Sequence, residues 1–338
     1  MTKLFFLFLF INIAFCYKFI PHPLEKRISY VEGVRDVRKI RKSVLDECKQ
    51  YFKEKSPMLI FKNQPELTPN EFLEFSKLFD DKRDEHAITS KNENQSYWYM
   101  NQMLQPFDQF PECKHVAPRG NYFLEDYYGF ENLQIYPTDY FKDRYLWHAD
   151  TWAHNTKRMN RVTAFYIVKQ PLIGGETDFI SGETIYENLS DEDKDLYNKI
   201  ILVVSRESFL QSRSPMDFSG AEFDKRVEFI KPSKKSLSYS PLIVMPEEKS
   251  FSKPALIITP MLVQKIKGLS VANSRKFIKD LVIDKLLPHR VTVQWKEGDL
   301  AIVNNRVFIH SSTPANYYLN NKFSNERFLL QTFIPTTE

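Results

Sequence analysis

The sequence predicts a mainly β protein, a jelly-roll or barrel core decorated with helices. Three observations predict it. From about residue 160 the chain is a succession of short β-branched and aromatic runs bounded by Pro, Gly, Asn or Asp: RVTAFYIVK (161–169), KIILVVS (199–205), PLIVM (241–245), ALIIT (255–259), RVTVQW (290–295), DLAIVNN (299–305) and RFLLQTFI (327–334). Only two helical patterns interrupt them, GETIYENLSDEDKDLYNK (182–199) and SVANSRKFIKDLVIDKLL (270–287). The strand–helix alternation of a dinucleotide-binding fold is missing, as is any G-x-G-x-x-G.

The elements before residue 160 are of another texture. MTKLFFLFLFINIAFCYKF has a positive Lys3, an apolar run from Leu4 to Phe15, and small residues Ala14 and Cys16 before Tyr17. This is the pattern of a secretory signal peptide over 1–16, and the run is short for a membrane span. The remaining 17–338, without internal repeat or low-complexity linker, is expected to be one domain. VRDVRKIRKSVLDECKQYFKEK (34–55) has helical periodicity, PMLIFKN (57–63) reads as a short buried strand, and TPNEFLEFSKLFD (68–80) reads as a second helix. Thr68 with Glu71 three residues on is a capping box at the start of that helix. Signal cleavage would leave Cys48 and Cys113, which could pair in an oxidising compartment. The absence of C-x-x-C argues against a cysteine zinc site or a redox motif. Asn94-Gln95-Ser96 and Asn188-Leu189-Ser190 are glycosylation sequons that suit a secretory chain.

Composition excludes several function classes. Of 338 residues, 42% are hydrophobic and 27% charged, with net charge +4, which is ordinary for a globular protein. No basic stripe is interleaved with aromatics, so a nucleic-acid partner is not expected. Runs such as DVRKIRKSV and KPSKKS read as solvated faces. No segment beyond the N-terminal one approaches a membrane span, so no stable span is expected after cleavage. The localisation expected is the secretory pathway or secretion.

The chemistry gathers around YLWHADTW (145–152). In a chain with seven histidines, His148 stands two residues from Asp150. On a strand that spacing puts both side chains on one face, within reach of one metal ion. A third ligand is available in GDLAIVNNRVFIHSSTP, where His310 ends an apolar stretch. Two histidines and one carboxylate form the facial triad of non-haem Fe(II) oxygenases, which leaves three coordination positions open. A zinc hydrolase uses the same ligand types. The surroundings favour iron. PLIGGETDF places Gly174 and Gly175 side by side in a chain with nine glycines, followed by Thr177. Arg327 lies 17 residues after His310 on a strand of period two. Its guanidinium can bind a carboxylate bidentately, and the Thr177 hydroxyl could bind the same carboxylate. Metal at one end and arginine at the other describe a slot for 2-oxoglutarate.

Through these motifs the chain resembles the TauD/TfdA (taurine dioxygenase) family of Fe(II)- and 2-oxoglutarate-dependent dioxygenases. The resemblance runs from about Trp147 to Pro335 through WHADTW, GGETDF, ALIITPMLVQKIKGLS, WKEGDLAIVNNRVFIH and ERFLLQTF. It implies a double-stranded β-helix (jelly-roll) core with helical insertions. It implies His148, Asp150 and His310 on iron, and Thr177 and Arg327 on 2-oxoglutarate. It also makes the N-terminal third part of the same domain. Two departures stand out. The aspartate usual before Asn-Arg is Asn304 here. The second arginine that meets the sulfonate in taurine dioxygenase is Gln331, and Arg144 stands where that enzyme has an asparagine, so the taurine-binding pattern is not reproduced. Trp152, Arg144 and Gln331 are the candidates for a substrate pocket. Trp147, Phe165 and Phe179 are read as barrel core, and His154 as a loop residue.

The expected activity is oxidation, most simply hydroxylation, of a small organic substrate. It uses Fe(II), O2 and 2-oxoglutarate and releases succinate and CO2. Asp150 argues against a halogenase, which needs that position free for halide. The competing readings are a non-catalytic secreted binding protein on the same fold and a zinc hydrolase, in which Arg327 and Thr177 have no role.

Overall fold

The structure is a computed structural model that describes residues 17–85, 110, 113, 115–123, 134–135, 147–150, 160–205, 237–246, 253–313, 318–319, 322–323 and 326–337. Side chains are described for all of these except 121–123, 134–135, 318–319 and 322–323. The segment 1–16, expected from sequence to be a signal peptide, and Asn94, Arg144, Trp152 and His154 lie outside the described residues.

Two sheets face each other. The larger has eight strands in the order Lys18–Pro21, Ile28–Glu32, Met58–Phe61, Leu300–Asn304, Val162–Lys169, Arg327–Ile334, Val116–Phe123, Gln134–Ile135. The pairings are antiparallel except between Ile28–Glu32 and Met58–Phe61. The smaller sheet places Thr177–Ser181 between Val291–Val293 and Phe308–Ser312, again antiparallel. Neither described sheet closes on itself, so the architecture is a jelly-roll sandwich and not a barrel.

Side-chain alternation along each strand sorts the apolar residues into three layers. Met58, Ile60, Phe165, Ile167, Ala301, Val303 and Leu329 of the large sheet meet Phe179, Val291, Val293 and Phe308 of the small one. This is the central layer. The alternate residues of the large sheet, Leu59, Phe61, Ala164, Tyr166, Leu300, Ile302, Phe328 and Leu330, point outward under the helices Lys42–Glu54 and Pro69–Lys77. Those of the small sheet, Ile180 and Ile309, point outward into a third cluster. It is built with the short helix Gly182–Asn188 and the sheet Val263–Ile266, Ile201–Ser205, Leu237–Pro241. Both faces of the central strands are therefore buried, which is why they read as continuous apolar runs in sequence.

The helices depart from expectation in detail. The first periodic segment begins with a 3-10 turn, Val37–Lys39, and becomes α-helical only at Lys42–Glu54. The pattern 182–199 splits into Gly182–Asn188 and Asp191–Tyr197, because Ser190 caps the second helix by accepting from the Asp193 N–H. The pattern 270–287 is α-helical over Val271–Asp280 and widens to a π-turn over Leu281–Leu286, with Leu281 and Leu286 buried. The capping box forms as expected. Thr68 Oγ1 accepts from the Glu71 N–H at 3.2 Å and Glu71 Oε2 accepts from the Thr68 N–H at 2.9 Å. Phe75 of that helix meets Phe61 edge-to-face at 5.2 Å.

One turn positions the strand that leads to the site. Gly298 has φ +83°, and a Cβ there would lie 2.5 Å from the Gln64 carbonyl oxygen. The Gln64 N–H donates to the Gly298 carbonyl at 2.7 Å, so only glycine fits this approach. Asp299 beside it is fully buried and accepts from Lys62 Nζ and the Lys296 N–H. Cys48 and Cys113 are buried free thiols in the same outer layer, and burial pushes the Cys48 thiol up to about 12. Among the described residues no helix is long and apolar enough to cross a membrane.

Candidate metal and cosubstrate site

His310 lies on Phe308–Ser312, directly opposite Phe179 of the neighbouring strand. His148 is not in a strand. It forms an isolated two-hydrogen-bond bridge to His310, N–H to O at 3.0 Å and 2.8 Å. That pairing puts the two rings on one face, with centroids 4.3 Å apart. Asp150 sits in the turn that follows, so strand periodicity does not aim it. Asn305 does. The Asp150 N–H donates to Asn305 Oδ1 at 2.9 Å, and Asn305 Nδ2 donates to the carbonyls of Asp150 and Asn160 at 2.6 and 3.1 Å. The Ala149 N–H between them donates to Thr259 Oγ1 at 3.1 Å.

The outcome is a compact cluster at the inner edge of the central layer. His148 Nε2 is 3.5 Å from Asp150 Oδ1, and His310 Nε2 is 3.7 Å from Asp150 Oδ2. Ligand atoms of the three residues all lie within 4.8 Å of one another, and Asp150 and His310 are buried. Burial pushes His310 down to about 4, against the pull of Asp150, so its imidazole is neutral near pH 7. Burial alone would raise the Asp150 carboxyl. The imidazoles of His310 and His148 and the Thr163 hydroxyl outweigh it and hold the group below its ordinary value, as carboxylate. Neutral imidazoles and a carboxylate are the protonation states in which these groups ligate a metal. His310 Nδ1 is buried and makes no hydrogen bond. The donor set fits a divalent cation.

The Asp150 carboxylate is steadied from behind. Thr163 Oγ1 reaches its Oδ2 at 3.1 Å, and Gln331 Nε2 donates to the same oxygen at 3.5 Å. Arg119 Nε donates to Gln331 Oε1 at 3.0 Å, which orients the amide so that its NH2 faces Asp150. Gln331, expected at a substrate pocket, is thus placed beside the metal-ligand candidate. Phe165 and Phe179 pack on the His310 ring at 5.5 and 5.7 Å and belong to the central layer, whereas Trp147 is buried in the outer cluster behind the small sheet. All three are core residues, as their sequence context suggests.

Thr177 and Arg327 lie further along the same interior. Thr177 is two residues from Phe179 on the strand that pairs with His310, about 7 Å along it. Arg327 is buried and four residues before Gln331 on one strand, so the two share a face about 13 Å apart along it. Thr177 Oγ1 accepts from the buried Trp295 Nε1 at 2.9 Å. Gly174 and Gly175 have φ +80° and +81°, and a Cβ on Gly175 would lie 2.6 Å from Pro171 Cγ. They form the tight turn that leads into Thr177. In the Asn304-Asn305-Arg306 turn, Asn304 Oδ1 accepts from the Arg306 N–H at 3.0 Å. The amide oxygen thus does what a carboxylate there would do. The residues that sequence reasoning passed over are Asn305, Thr163 and Trp295. Asn305 and Trp295 stood inside the quoted WKEGDLAIVNNRVFIH motif, but their partners are distant in sequence.

Comparison with known proteins agrees with this geometry. The model of the "Taurine catabolism dioxygenase TauD, TfdA family" matches residues 33–331. The alpha-ketoglutarate-dependent xanthine dioxygenase xanA of Emericella nidulans is 25% identical over 306 residues, 76% of this chain and 80% of that one. The (S)-phenoxypropionate/alpha-ketoglutarate-dioxygenase of Sphingobium herbicidovorans is 25% identical over 169 residues, 50% of this chain and 56% of that one. Among solved structures, a taurine dioxygenase from Burkholderia xenovorans superposes with TM-score 0.63 at 18% identity, over 95% of this chain and 90% of that one. AAD-2 in complex with Mn(II) and N-oxalylglycine superposes with TM-score 0.62 at 16% identity, over 96% and 98%. The chain belongs to the TauD, TfdA family and is, with it, an Fe(II)- and 2-oxoglutarate-dependent dioxygenase.

Proposed function

We propose that His148, Asp150 and His310 hold the Fe(II), that Thr177 and Arg327 hold the C5 carboxylate of 2-oxoglutarate, and that a small organic molecule is oxidised between them. The observation that carries this reading is the convergence of three ligand atoms within 4.8 Å, from two segments far apart in the chain. The chemistry supplied by Fe(II) and O2 at that position is oxidative decarboxylation of 2-oxoglutarate to succinate and CO2, coupled to oxidation of the substrate.

The protein's own part is placement. The His148–His310 backbone bridge fixes the two imidazoles relative to each other. Asn305 fixes the backbone of Asp150, and Thr163 and Gln331 fix its carboxylate, so the three donors keep their relative placement. Phe165 and Phe179 keep water from the buried side of His310. The Arg327 guanidinium, at the far end of the strand that carries Gln331, offers a bidentate site for the distal carboxylate, and the Thr177 hydroxyl offers a further donor. Like the relatives named for xanthine and (S)-phenoxypropionate, this enzyme takes a small molecule as substrate. Arg144 and Trp152 remain candidates for contacts to it. Residues 17–338 form one catalytic domain, and residues 1–16 direct it to the secretory pathway. The exposed Asn188 sequon suits that route.

The test is succinate formation from 2-oxoglutarate with Fe(II), ascorbate and air, which uncoupled turnover also produces. Succinate that depends on added Fe(II) and disappears in Asp150→Ala supports the assignment. Undiminished succinate in that variant removes Asp150 from the site.

A further inference from the structure

We propose that Trp295 is a positioning residue for the cosubstrate: its indole N–H fixes the Thr177 hydroxyl as a donor and so helps select a 2-oxo diacid over shorter chelators. This rests on the reading that Thr177 meets the C5 carboxylate.

Trp295 Nε1 donates to Thr177 Oγ1 at 2.9 Å, and both side chains are buried. A threonine hydroxyl has one O–H to donate and two lone pairs to accept with. The indole has only a donor, so the direction of this bond is not negotiable. It occupies one lone pair and turns the Thr177 O–H away from the indole. A hydroxyl that already accepts a hydrogen bond is also the stronger donor.

Strand register says where that O–H is aimed. Thr177 pairs with Ser312, and Phe179 pairs with His310. Thr177, Phe179 and His310 therefore project from the small sheet on the same side, into the central layer. Trp295 lies two residues after Val293, the residue paired with Thr177 on its other flank, and its ring stands edge-on to Phe179 at 6.3 Å. The indole is thus wedged beside the strand that carries Thr177, on the side of the sheet that faces the metal-ligand candidates. An oriented hydroxyl donor at that place suits an anionic acceptor. A molecule that only chelates the metal does not extend far enough along the strand to use it.

The experiment is calorimetric titration of Mn(II)-loaded protein, which needs no turnover, with N-oxalylglycine and separately with oxalate, which lacks the distal carboxylate. The variants are Trp295→Phe, Thr177→Val and their double. Loss of one neutral hydrogen bond predicts about a five-fold weaker binding of N-oxalylglycine in Trp295→Phe. Oxalate should bind all forms alike, and the effect of Trp295→Phe should vanish in the Thr177→Val background. Equal weakening for oxalate, or an undiminished effect without the Thr177 hydroxyl, would show a packing role and overturn the proposal. If Thr177→Val itself leaves N-oxalylglycine binding unchanged, the placement of Thr177 is what fails. A second measurement uses the unaltered chain, should Trp295→Phe not fold. Loaded with Zn(II), it should show one indole 15N–1H resonance, the one displaced by Thr177→Val, that moves with N-oxalylglycine and stays put with oxalate. A resonance indifferent to both ligands contradicts the proposal.

Discussion

His310 carries two demands. It must be neutral to ligate, and it must be fixed in direction. Burial meets the first and the backbone bridge to His148 meets the second. A three-donor site has no spare member, so His148→Ala, Asp150→Ala and His310→Ala should each abolish Fe(II)-dependent succinate formation. Near-native turnover in any one of them excludes that residue. Asn305 acts through Asp150, so Asn305→Ala should weaken metal binding without abolishing it, by about 10- to 100-fold as for other outer-shell partners. Metal titration reads this directly, and an unchanged affinity would show that the turn holds its shape unaided. For the cosubstrate, truncating one side of a charge-assisted pair costs roughly 2–5 kcal/mol, so Arg327→Leu should raise the 2-oxoglutarate constant about thirty-fold or more. Thr177→Val should cost about 1 kcal/mol. His148, Asp150 and His310 could be named as a cluster because two histidines and a carboxylate are residue types tied to metal chemistry, and the structure brings their ligand atoms within 4.8 Å of one another; the roles proposed for Thr177 and Arg327 rest on residue type and spacing. Asn305 and Trp295 were not legible, because a hydrogen bond between residues more than a hundred positions apart, such as Asn305 to Asp150, leaves no local pattern; Thr163 is only 13 residues from Asp150, but no spacing rule joins a strand threonine to a carboxylate in a preceding turn.

At the scale of elements, strands such as Val162–Lys169, Ile201–Ser205 and Leu300–Asn304 were readable as apolar runs because burial on both faces demands apolar residues, whereas Leu237–Pro241, with Tyr239 exposed, and Val263–Ile266 were not. The Thr68–Glu71 box was readable because its two hydrogen bonds span three residues. Removing it with Thr68→Ala should destabilise the protein by about 1 kcal/mol and leave metal binding untouched, since Pro69–Lys77 packs on the outer face of the large sheet. Denaturant unfolding beside a metal titration separates the two effects. What hydrophobic periodicity could not supply was where helices break. Hydrophobic periodicity continues across Leu189–Ser190 and across Leu281, and only the capping hydrogen bond of Ser190 and the burial of Leu281 decide the geometry there. The strand expected around His148 and Asp150 is likewise a single bridge followed by a turn. Both side chains still converge, through Asn305 instead of through periodicity.

The whole molecule joins the two sheets through a layer in which a titratable group is buried, and its stability must respond to pH. His310 has a folded-state value of about 4 against 6.5 unfolded. The unfolded chain therefore takes up the proton first as pH falls. The contribution is fully present above about pH 6.5 and is lost toward pH 4, at up to about 1.4 kcal/mol per pH unit. Metal-free protein should show this slope in denaturant unfolding, and His310→Gln should flatten it. An equal slope in both would place the titration elsewhere. The fold class was legible from strand texture at this scale, but the facing of two sheets over one metal-ligand cluster was not, because sheet order joins strands from opposite ends of the chain. The most direct test of the account is anaerobic titration of 2-oxoglutarate into the Fe(II)-loaded protein, followed by the visible charge-transfer band of the chelate. The account predicts a saturable band in the unaltered chain, no band in His310→Ala, and a band in Arg327→Leu only at far higher 2-oxoglutarate. A band of equal strength and midpoint in all three, or none in the unaltered chain, would contradict it.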